Sequence, residues 1–592
     1  MDFAETRDID EFVEMLARFE RGEITADAWR TFRLLRGTYG QRQDEAAQPS
    51  MLRAKIPQGV LTAAQLESLA DVAERHSRGF CHITTRQNIQ LHFVPLAQMG
   101  EAMHTLAASG ITTREACGNS VRNVTTSATA GVAADEAFDP TPYARAFTRY
   151  FLRHPLSSSL PRKFKVAFSG GGEDHANVLI NDLGFTARLR DGERGFRVTA
   201  GGGTALMCVS ARELVDFVPA ADILGVAEAV VRVFHARGDR EHRKKNRMKF
   251  LIKQLGWDVF RTLVRTELEA LEQSPVLTLD EEHEESPPQN RAPSPRPAEI
   301  EALVADDVLR GPGIHPRFLP VAGDPRSERF FRTNVRAQKQ DGFSWVTVVV
   351  PLGDLSSGRL RALAALARSY ADGTVRTTAT QNVVLRWVPS DRVAQLHAHL
   401  ERIGLAEPDP DSIADVSSCP GAESCKLAVT QSRGLADALG ERFREDRTFI
   451  DRAPGLTIRV SGCPNGCGLH HVATIGFQGG LRKVGGRAAP QYFVYAGGDA
   501  GSNPARFGRV IGKVPARRIV TVVERLIAKF EQSRNDGERI ADYLARAPTA
   551  ELTAAIADLV ELDEARAHEE DFVDLGETTA FRPETTEGEC AA

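Results

Sequence analysis

The sequence has little that would mark a secreted, membrane or nucleic-acid-binding protein. Eight cysteines in 592 residues are too few for a disulfide-stapled secreted fold. No apolar run approaches the ~20 residues that a membrane-spanning helix needs, and the mean hydropathy is −0.27. A net charge of −5 leaves no basic surplus for nucleic acid. Because the N-terminus is acidic and has no basic leader, we expect a cytoplasmic protein with neither membrane nor nucleic acid as partner.

The chain contains an internal duplication. Residues 57–94 align with residues 351–388 without a gap, at an offset of 294 positions. Each copy predicts a short strand and turn, an amphipathic helix with apolar residues three and four apart, a glycine turn and an alternating strand. We therefore expect an α+β fold whose two halves are related by a pseudo-two-fold axis.

The two copies differ in charge. Arg86 of the first copy corresponds to Thr380 of the second, and His92 corresponds to Arg386. The segments that follow the copies share only a faint likeness, which begins at Cys117 and at Cys419. This asymmetry indicates that one copy has specialised.

A stretch rich in Pro, Glu and Ser divides the chain, and such a composition does not pack a core of its own. The last residues, after Phe572, have few apolar anchors. We predict an N-terminal helical segment with the first half-domain at 1–115, a first cofactor domain at 116–273, a linker at 274–300, a second half-domain at 301–410, a cysteine-bearing domain at 411–560 and a C-terminal tail at 561–592.

Four of the cysteines form a spaced set. Cys419 and Cys425 are the ends of a C-x5-C motif, and Cys463 and Cys467 are the ends of a C-x3-C motif. Structural zinc favours tighter spacings, and buried unligated thiols do not explain two turns rich in glycine and proline. An iron–sulfur cluster, in which thiolates bind the irons, explains the set better.

These motifs resemble those of the assimilatory sulfite and nitrite reductases, which carry sirohaem next to a 4Fe-4S cluster. The likeness extends over nearly the whole chain, from Met51 to the tail Gly588–Ala592. The resemblance implies an internally duplicated α+β fold of ferredoxin-like half-domains and sirohaem/4Fe-4S domains. It also implies that the four cysteines bind the cluster and that Cys467 bridges to the sirohaem iron.

A small oxyanion beside a haem requires fixed positive charges that donate several hydrogen bonds, which Arg and Lys supply. By resemblance, Arg86, Arg122, Lys163 and Lys165 line the substrate site. Lys163 and Lys165 are two residues apart, so on a strand both point to the same face. Each residue taken alone is also explained as a solvated surface charge.

The carboxylates of sirohaem need further positive charge. Arg243, Arg247 and Lys249 belong to a basic run that we expect on a helix, and the resemblance places it at the cofactor, as it does Asn123. Gly201, Gly202 and Gly203 would let backbone amides approach a carboxylate. A solvated helix face and a plain tight turn are the alternatives, and Thr204 departs from the glycine usual in the family at this point.

Some family members cross-link a cysteine at the position of Cys117 to a tyrosine. The residue that we match to this tyrosine is Gln58, so we expect Cys117 to be a small buried thiol. We expect His470 and His471, which follow the cluster motif, to be structural.

Fold and cofactors do not separate sulfite from nitrite as the substrate. In plant-type nitrite reductases the position of Lys165 is commonly Asn, and sulfite carries more negative charge than nitrite. The sequence therefore favours a sulfite reductase, with nitrite reductase as the alternative. A non-catalytic electron carrier and a zinc-stabilised binding protein are more distant alternatives.

The chain has no G-x-G-x-x-G fingerprint for a nicotinamide or flavin, so electrons must come from a separate protein. By resemblance this donor is ferredoxin, and a flavoprotein reductase subunit is the alternative. Arg482, Lys483 and Arg487 are candidates for the basic surface at which an acidic donor docks.

Overall fold

The computed structural model describes residues 2–41, 49–273, 275–279, 287–318 and 324–583. The predicted linker is described only in part, and residues 584–592 of the tail lie outside the described residues. The described residues form four five-stranded sheets with helices packed on them. None of the described helices is long and apolar enough to cross a membrane.

The first half-domain follows the predicted order of elements. Its central helix begins at a capping box formed by Thr62 and Gln65, and it buries Leu66 and Leu69 on one face. The elements are α1 Thr6–Glu20, α2 Ala26–Leu34, β1 Thr38–Gly40, β2 Ser50–Ala54, β3 Val60–Thr62, α3 Ala63–His76, β4 Phe80–Ile83, β5 Ile89–Val94 and α4 Met99–Ala107.

The next domain is a mixed sheet over an aromatic core. Strands β6, β7 and β8 run parallel, so their amino-terminal ends lie at the same sheet edge. Phe147, Phe168 and Phe185 form the centre of the core. The elements are β6 Val121–Thr126, α5 Thr141–Phe151, β7 Phe164–Ser169, β8 Leu183–Arg190, β9 Glu193–Ala200, β10 Arg212–Pro219, α6 Ile223–Arg237, α7 Met248–Leu255 and α8 Trp257–Glu269.

The second half-domain repeats the first. Its central helix and the strands on either side of this helix recur at the same offset of 294 positions. A left-handed residue recurs as well, since Gln58 and Leu352 both have φ of 58°. The elements are α9 Pro297–Ala305, α10 Asp324–Thr333, β11 Val335–Ala337, β12 Phe343–Val348, β13 Asp354–Ser356, α11 Ser357–Tyr370, β14 Thr374–Thr377, β15 Val383–Pro389 and α12 Val393–Arg402. The predicted duplication is therefore present in the backbone.

The two half-domains exchange a strand. Strand β13 of the second half pairs with β4 of the first, and β3 of the first pairs with β14 of the second. Helices α3 and α11 pack against each other in one shared core that includes Leu69 and Leu363. The exchange fixes the pseudo-two-fold arrangement of the two halves.

The last domain carries the cysteines. Strands β16, β17 and β18 run parallel, and β18, β19 and β20 form an antiparallel meander. The elements are β16 Ser417–Ser418, α13 Ser432–Glu445, α14 Thr448–Arg452, β17 Ile458–Ser461, β18 Ile475–Val484, β19 Arg487–Ala496, β20 Arg509–Pro515, α15 Ile519–Ser533, α16 Ile540–Arg546, α17 Thr549–Ala555 and α18 Ala557–Val560.

Two connecting segments are more ordered than their composition suggested. Part of the linker packs along α11, where the Ala292 N–H donates to the Arg368 carbonyl at 3.0 Å. Helix α9 begins at Pro297, within the predicted linker. In the tail, Phe572 is buried against Val484 and Ala489 of the last sheet.

Candidate cluster site and anion pocket

The two cysteine motifs meet because they follow adjacent parallel strands. Cys419 comes directly after β16, and Cys463 comes two residues after β17, so both lie at the carboxyl edge of this sheet. The Gly462 N–H donates to the Cys419 Sγ at 3.3 Å. Gly421 and Gly466 adopt φ of 68° and 66°, which lets both loops turn tightly.

The other three cysteines of the set are neighbours of Cys463. Burial and the neighbouring Cys467, Cys419 and Cys425 raise the pKa of the Cys463 thiol. Such thiols lose their protons when iron takes the thiolates, so this donor set fits a cluster. In the described part of the chain no three Cys, His, Asp or Glu side chains could share one metal ion; a four-iron cluster instead takes one thiolate at each iron. Cys419 and Cys463 are buried, whereas Cys467 is exposed.

The first half reaches this cluster site through the loop between β4 and β5. The Thr85 hydroxyl donates to the Cys467 carbonyl at 2.7 Å. Arg86, the next residue, donates to Asn181 Oδ1 at 2.7 Å and to the Asn123 carbonyl at 2.5 Å. Burial, with Arg122 nearby, lowers the pKa of Arg86 to about 9. The predicted substrate residue Arg86 is therefore adjacent in sequence to Thr85, which contacts the predicted cluster ligand Cys467 directly.

Lys163 and Lys165 lie at the amino-terminal end of β7, next to the start of β6 where Arg122 lies. Phe164 between them is buried in the core, so both lysines face the other way, as predicted. Burial, together with Arg247, Arg86 and Lys163, lowers the pKa of Lys165 well below its ordinary value. Arg122 is oriented by the Gly118 and Ala116 carbonyls at 2.9 and 3.2 Å.

The predicted sirohaem contacts divide into two groups. Arg247 donates to Asp182 Oδ2 at 2.7 Å and Lys249 donates to the Thr204 carbonyl at 2.7 Å, and both are buried. Arg243, in contrast, is exposed. The expected helix over the basic run is wrong: residues 243–247 form turns, and α7 begins only at Met248.

The glycine run lies at the same sheet edge, directly after β9. A Cβ on Gly202 would come within 2.4 Å of the Leu179 carbonyl, and one on Gly203 within 3.1 Å of Arg247 Nη2. Gly201 has φ of 88°, which favours glycine. The run therefore needs glycine because protein atoms approach it closely, and this packing places Arg247 against it.

Two residues of this region, Lys55 and Asp182, carry no prediction from the sequence, and a third, His471, is predicted only to be structural. Lys55 is buried and its Nζ donates to the Val121 carbonyl at 3.4 Å; burial lowers its pKa to about 8. Asp182 accepts from the Lys165 N–H and from Arg247. Burial and Lys249 lower the pKa of His471 to about 4, so the imidazole is neutral at pH 7. His471 belongs to the second half and lies near Lys249 of the first half. Only Lys55 has a sequence signal, because it lies within the Met51–Pro57 motif.

The charges of the region fit an anionic cofactor and substrate. Arg247 lies close enough to lower the pKa of Arg86, Lys165 and Lys249, and the Asp182 carboxylate opposes this effect on all three. Within the described residues, several buried polar atoms here have no hydrogen-bond partner: Arg86 Nε, Arg247 Nε, Asn123 Oδ1 and Asp182 Oδ1. Bound carboxylates would compensate this surplus of positive charge.

The sequence match of Gln58 to the cross-linked tyrosine is wrong. Gln58 Nε2 donates to the Ala144 carbonyl at 3.0 Å, in the core between the half-domain and α5. The tyrosine that packs with Cys117 is Tyr39, in a small cluster with Met51. Cys117 is thus a buried thiol, as expected, but an aromatic hydroxyl-bearing residue does accompany it.

The candidate docking residues lie on the β18–β19 hairpin, where Arg487 is bound by the tail and Arg482 by the end of α18. Arg487 forms two hydrogen bonds to the Glu569 carboxylate at 2.8 and 2.9 Å. Arg482 donates to the Val560 carbonyl at 2.8 Å, and Lys483 is exposed. These contacts give the two arginines a structural task.

Comparison with known proteins agrees with this architecture. The Nitrite/Sulfite reductase ferredoxin-like half domain matches residues 41–109 and 336–403. The Nitrite and sulphite reductase 4Fe-4S domain matches residues 117–271 and 410–561. Together the matches cover more than half of the chain.

Individual relatives bear both substrate names. A "Ferredoxin--nitrite reductase" of Synechococcus elongatus is 32% identical, over 76% of this chain and 80% of its own. A "Sulfite reductase (ferredoxin) 2" of Mycolicibacterium paratuberculosis is 29% identical, over 85% and 83%. The structure of the Mycobacterium tuberculosis NirA protein superposes with a TM-score of 0.72 at 27% identity and covers 92% of this chain and 97% of its own.

The duplicated α+β fold and the four-cysteine site define an oxidoreductase with an iron–sulfur centre. The chain belongs to the nitrite and sulphite reductase family. The predicted fold class and the predicted cofactors, sirohaem and a 4Fe-4S cluster, are confirmed at the level of this family.

Proposed function

We propose that this protein reduces sulfite to sulfide with six electrons in sulfur assimilation. The observation that carries the proposal is the lysine pair of β7, Lys163 and Lys165, which faces the same region as Arg86. A doubly charged anion gains more than a singly charged one from each added cation in a partly buried site. The pair therefore favours sulfite over nitrite.

The residues of the pocket have two tasks in this reaction. Arg86, Arg122, Lys163 and Lys165 bind the oxyanion and orient its oxygens. A bound anion favours the protonated form of Lys165, so this lysine can donate a proton as an S–O bond breaks.

The cofactors would be held by both halves of the chain. Cys419, Cys425, Cys463 and Cys467 would bind the cluster, and the exposed Cys467 would bridge to sirohaem. Arg247 and Lys249 would approach the sirohaem carboxylates. The N–H groups of Gly201 and Gly203 instead donate to the Asp182 and Val209 carbonyls, and the Asn123 side-chain amide donates to the Ile56 and Arg86 carbonyls. When bound, the cofactors would pass the electrons of the donor protein to the substrate and offer an iron at which the substrate can bind. Arg243, being exposed, would reach a carboxylate only at the rim of the site.

The electron donor is proposed to be a ferredoxin in the cytoplasm, because the relatives that bear either substrate name are ferredoxin-dependent by name. A flavoprotein reductase subunit is the alternative. Donor identity is tested by comparing turnover with reduced ferredoxin and with a reduced flavoprotein at equal concentrations.

Nitrite reduction is the second candidate, favoured by the relatives named as nitrite reductases. The test is kcat/KM for sulfite and for nitrite, measured side by side on cofactor-loaded protein with a reduced viologen dye as donor. We expect a higher value for sulfite. Lys165→Asn should move the ratio toward nitrite by about tenfold, since one charge interaction in a partly buried site is worth on the order of 1.4 kcal/mol.

The matched control is Lys253→Asn, which changes an exposed lysine of α7 and should leave the ratio unchanged. A clear preference of the wild-type protein for nitrite would contradict the sulfite proposal and leave the family assignment intact. Loaded protein that turns over neither substrate would instead favour the electron-carrier alternative.

A further inference from the structure

Residues 562–583, which we call the strap, lie outside the matched family domains, the last of which ends at residue 561. The strap packs across the last domain. Its aromatic anchor, Phe572, is buried against Val484 and lies 3.8 Å from the Arg487 guanidinium. The Phe581 N–H donates to the Phe572 carbonyl at 2.7 Å, which closes the strap on itself.

We propose that the strap keeps the cluster loop, residues 419–434, in its cluster-binding shape and that Asp574 is the positioning residue. Asp574 is 2% exposed, and its Oδ2 accepts the Gln431 N–H at 2.8 Å. The Gln431 side chain in turn donates to Glu577 at 2.6 Å. Two strap carboxylates therefore hold one residue of the cluster loop by its backbone and its side chain.

The residue next to Gln431 contacts the predicted cluster ligand Cys419. Ser432, next to Gln431, donates its hydroxyl to the Cys419 carbonyl at 2.8 Å, and its Oγ lies 3.3 Å from the Cys419 Sγ. On the other side, a Cβ on Gly434 would come within 2.0 Å of the Leu575 carbonyl. The loop and the strap thus meet at two residues of the loop, Gln431 and Gly434.

The buried carboxylate is costly, which argues for a specific role. Burial raises the pKa of Asp574 to about 6 even though two N–H groups donate to it. An apolar residue would avoid this cost but would leave the Gln431 N–H without its partner. The inference depends on the cluster and not on which oxyanion is reduced, so it stands or falls separately from the proposed substrate.

The test compares cluster-loaded, full-length Asp574→Ala, Asp574→Asn and Glu570→Ala. Glu570 is an exposed carboxylate of the same strap and serves as the control. We expect Asp574→Ala to release iron to a ferrous chelator about tenfold faster, since a hydrogen bond to a charged group is worth on the order of 1.4 kcal/mol. Its reduced-cluster EPR spectrum should also change.

The conservative variant keeps the proposal falsifiable if Asp574→Ala folds poorly. Asn retains an acceptor oxygen for the Gln431 N–H, so Asp574→Asn should keep the wild-type EPR spectrum and nearly the wild-type rate of iron release. Two results would overturn the proposal. One is a folded Asp574→Ala with the wild-type spectrum and rate, and the other is an equal acceleration by Glu570→Ala.

Discussion

The two copies of the duplicated loop have the same backbone and different charges. In the first copy the Ile56 N–H donates to Asn88 Oδ1, and in the second the Val350 N–H donates to Asn382 Oδ1. Gln87 donates across the exchanged strands to the Thr377 carbonyl, and Gln381 donates to the Ile83 carbonyl, both at 2.8 Å. Among the residues that the copies share, Asn88 and Asn382 therefore stabilise each copy, and Gln87 and Gln381 join the two halves.

The position where the copies differ has another role. Arg86 points toward Asn181 and the other cations, whereas its counterpart Thr380 makes a hydrogen bond to Thr378 at 2.9 Å. In the second half the following segment carries the cluster cysteines instead of cations. The comparison teaches that the duplication supplies a symmetric scaffold, on which we propose that one half binds anions and the other binds the cluster.

The largest effect is expected when one cluster cysteine of the second half is removed. Cys419→Ala should abolish bound iron and activity, because a cluster iron loses its thiolate. Cys117→Ala, which removes a buried thiol of the first half, should retain the cluster. Iron analysis and the visible absorbance of both purified variants check this, and iron loss from Cys117→Ala would contradict the division of roles.

A smaller effect should appear in the pH dependence of the free energy of unfolding, through a buried lysine of the first half. Burial and Arg247 lower the pKa of Lys249 from 10.5 to about 8 in the protein without cofactors. Between these pH values the unfolded chain binds more protons, so the free energy of unfolding should rise with pH, by up to about 3 kcal/mol.

Urea unfolding of cofactor-free protein at pH 7.5 and 9.5 measures this rise. Lys249→Met should remove its share of the rise, whereas Lys253→Met, at an exposed position, should not. An identical pH dependence in wild type and Lys249→Met would contradict a lowered pKa of Lys249 in the folded protein.

The smallest effect concerns the shared scaffold. Gln87→Ala and Gln381→Ala each remove equivalent buried hydrogen bonds, so each should lower the free energy of unfolding by about 1–3 kcal/mol. Chemical denaturation of the two variants measures both values. Effects that differ greatly would mean that the halves are not held together symmetrically.

Much of the fold could be predicted from the sequence because it depends on local patterns. The repeat fixes the helix and strands of both copies, and β7 buries Phe164 while turning Lys163 and Lys165 the other way. The strand exchange could not be predicted, because β3 and β13 pair with residues hundreds of positions away.

Residues of the candidate site could be predicted where they belong to a sequence motif. The cysteine set and Arg86 follow from spacing and the repeat. Asp182 and Tyr39 were missed because only tertiary packing brings them to Lys165 and Cys117. The helix expected over the basic run is wrong because its residues make tertiary contacts from turns, as Arg247 does with Asp182.

The most direct test of the account exchanges the residue that distinguishes the two copies. Arg86→Thr and Thr380→Arg are prepared with full cluster and sirohaem content, and kcat/KM for sulfite is measured for both. The account predicts a loss of about 100-fold for Arg86→Thr, the scale of removing one preorganised donor, and near wild-type activity for Thr380→Arg. Wild-type activity in a fully loaded Arg86→Thr would contradict the assignment of the anion pocket to the first half.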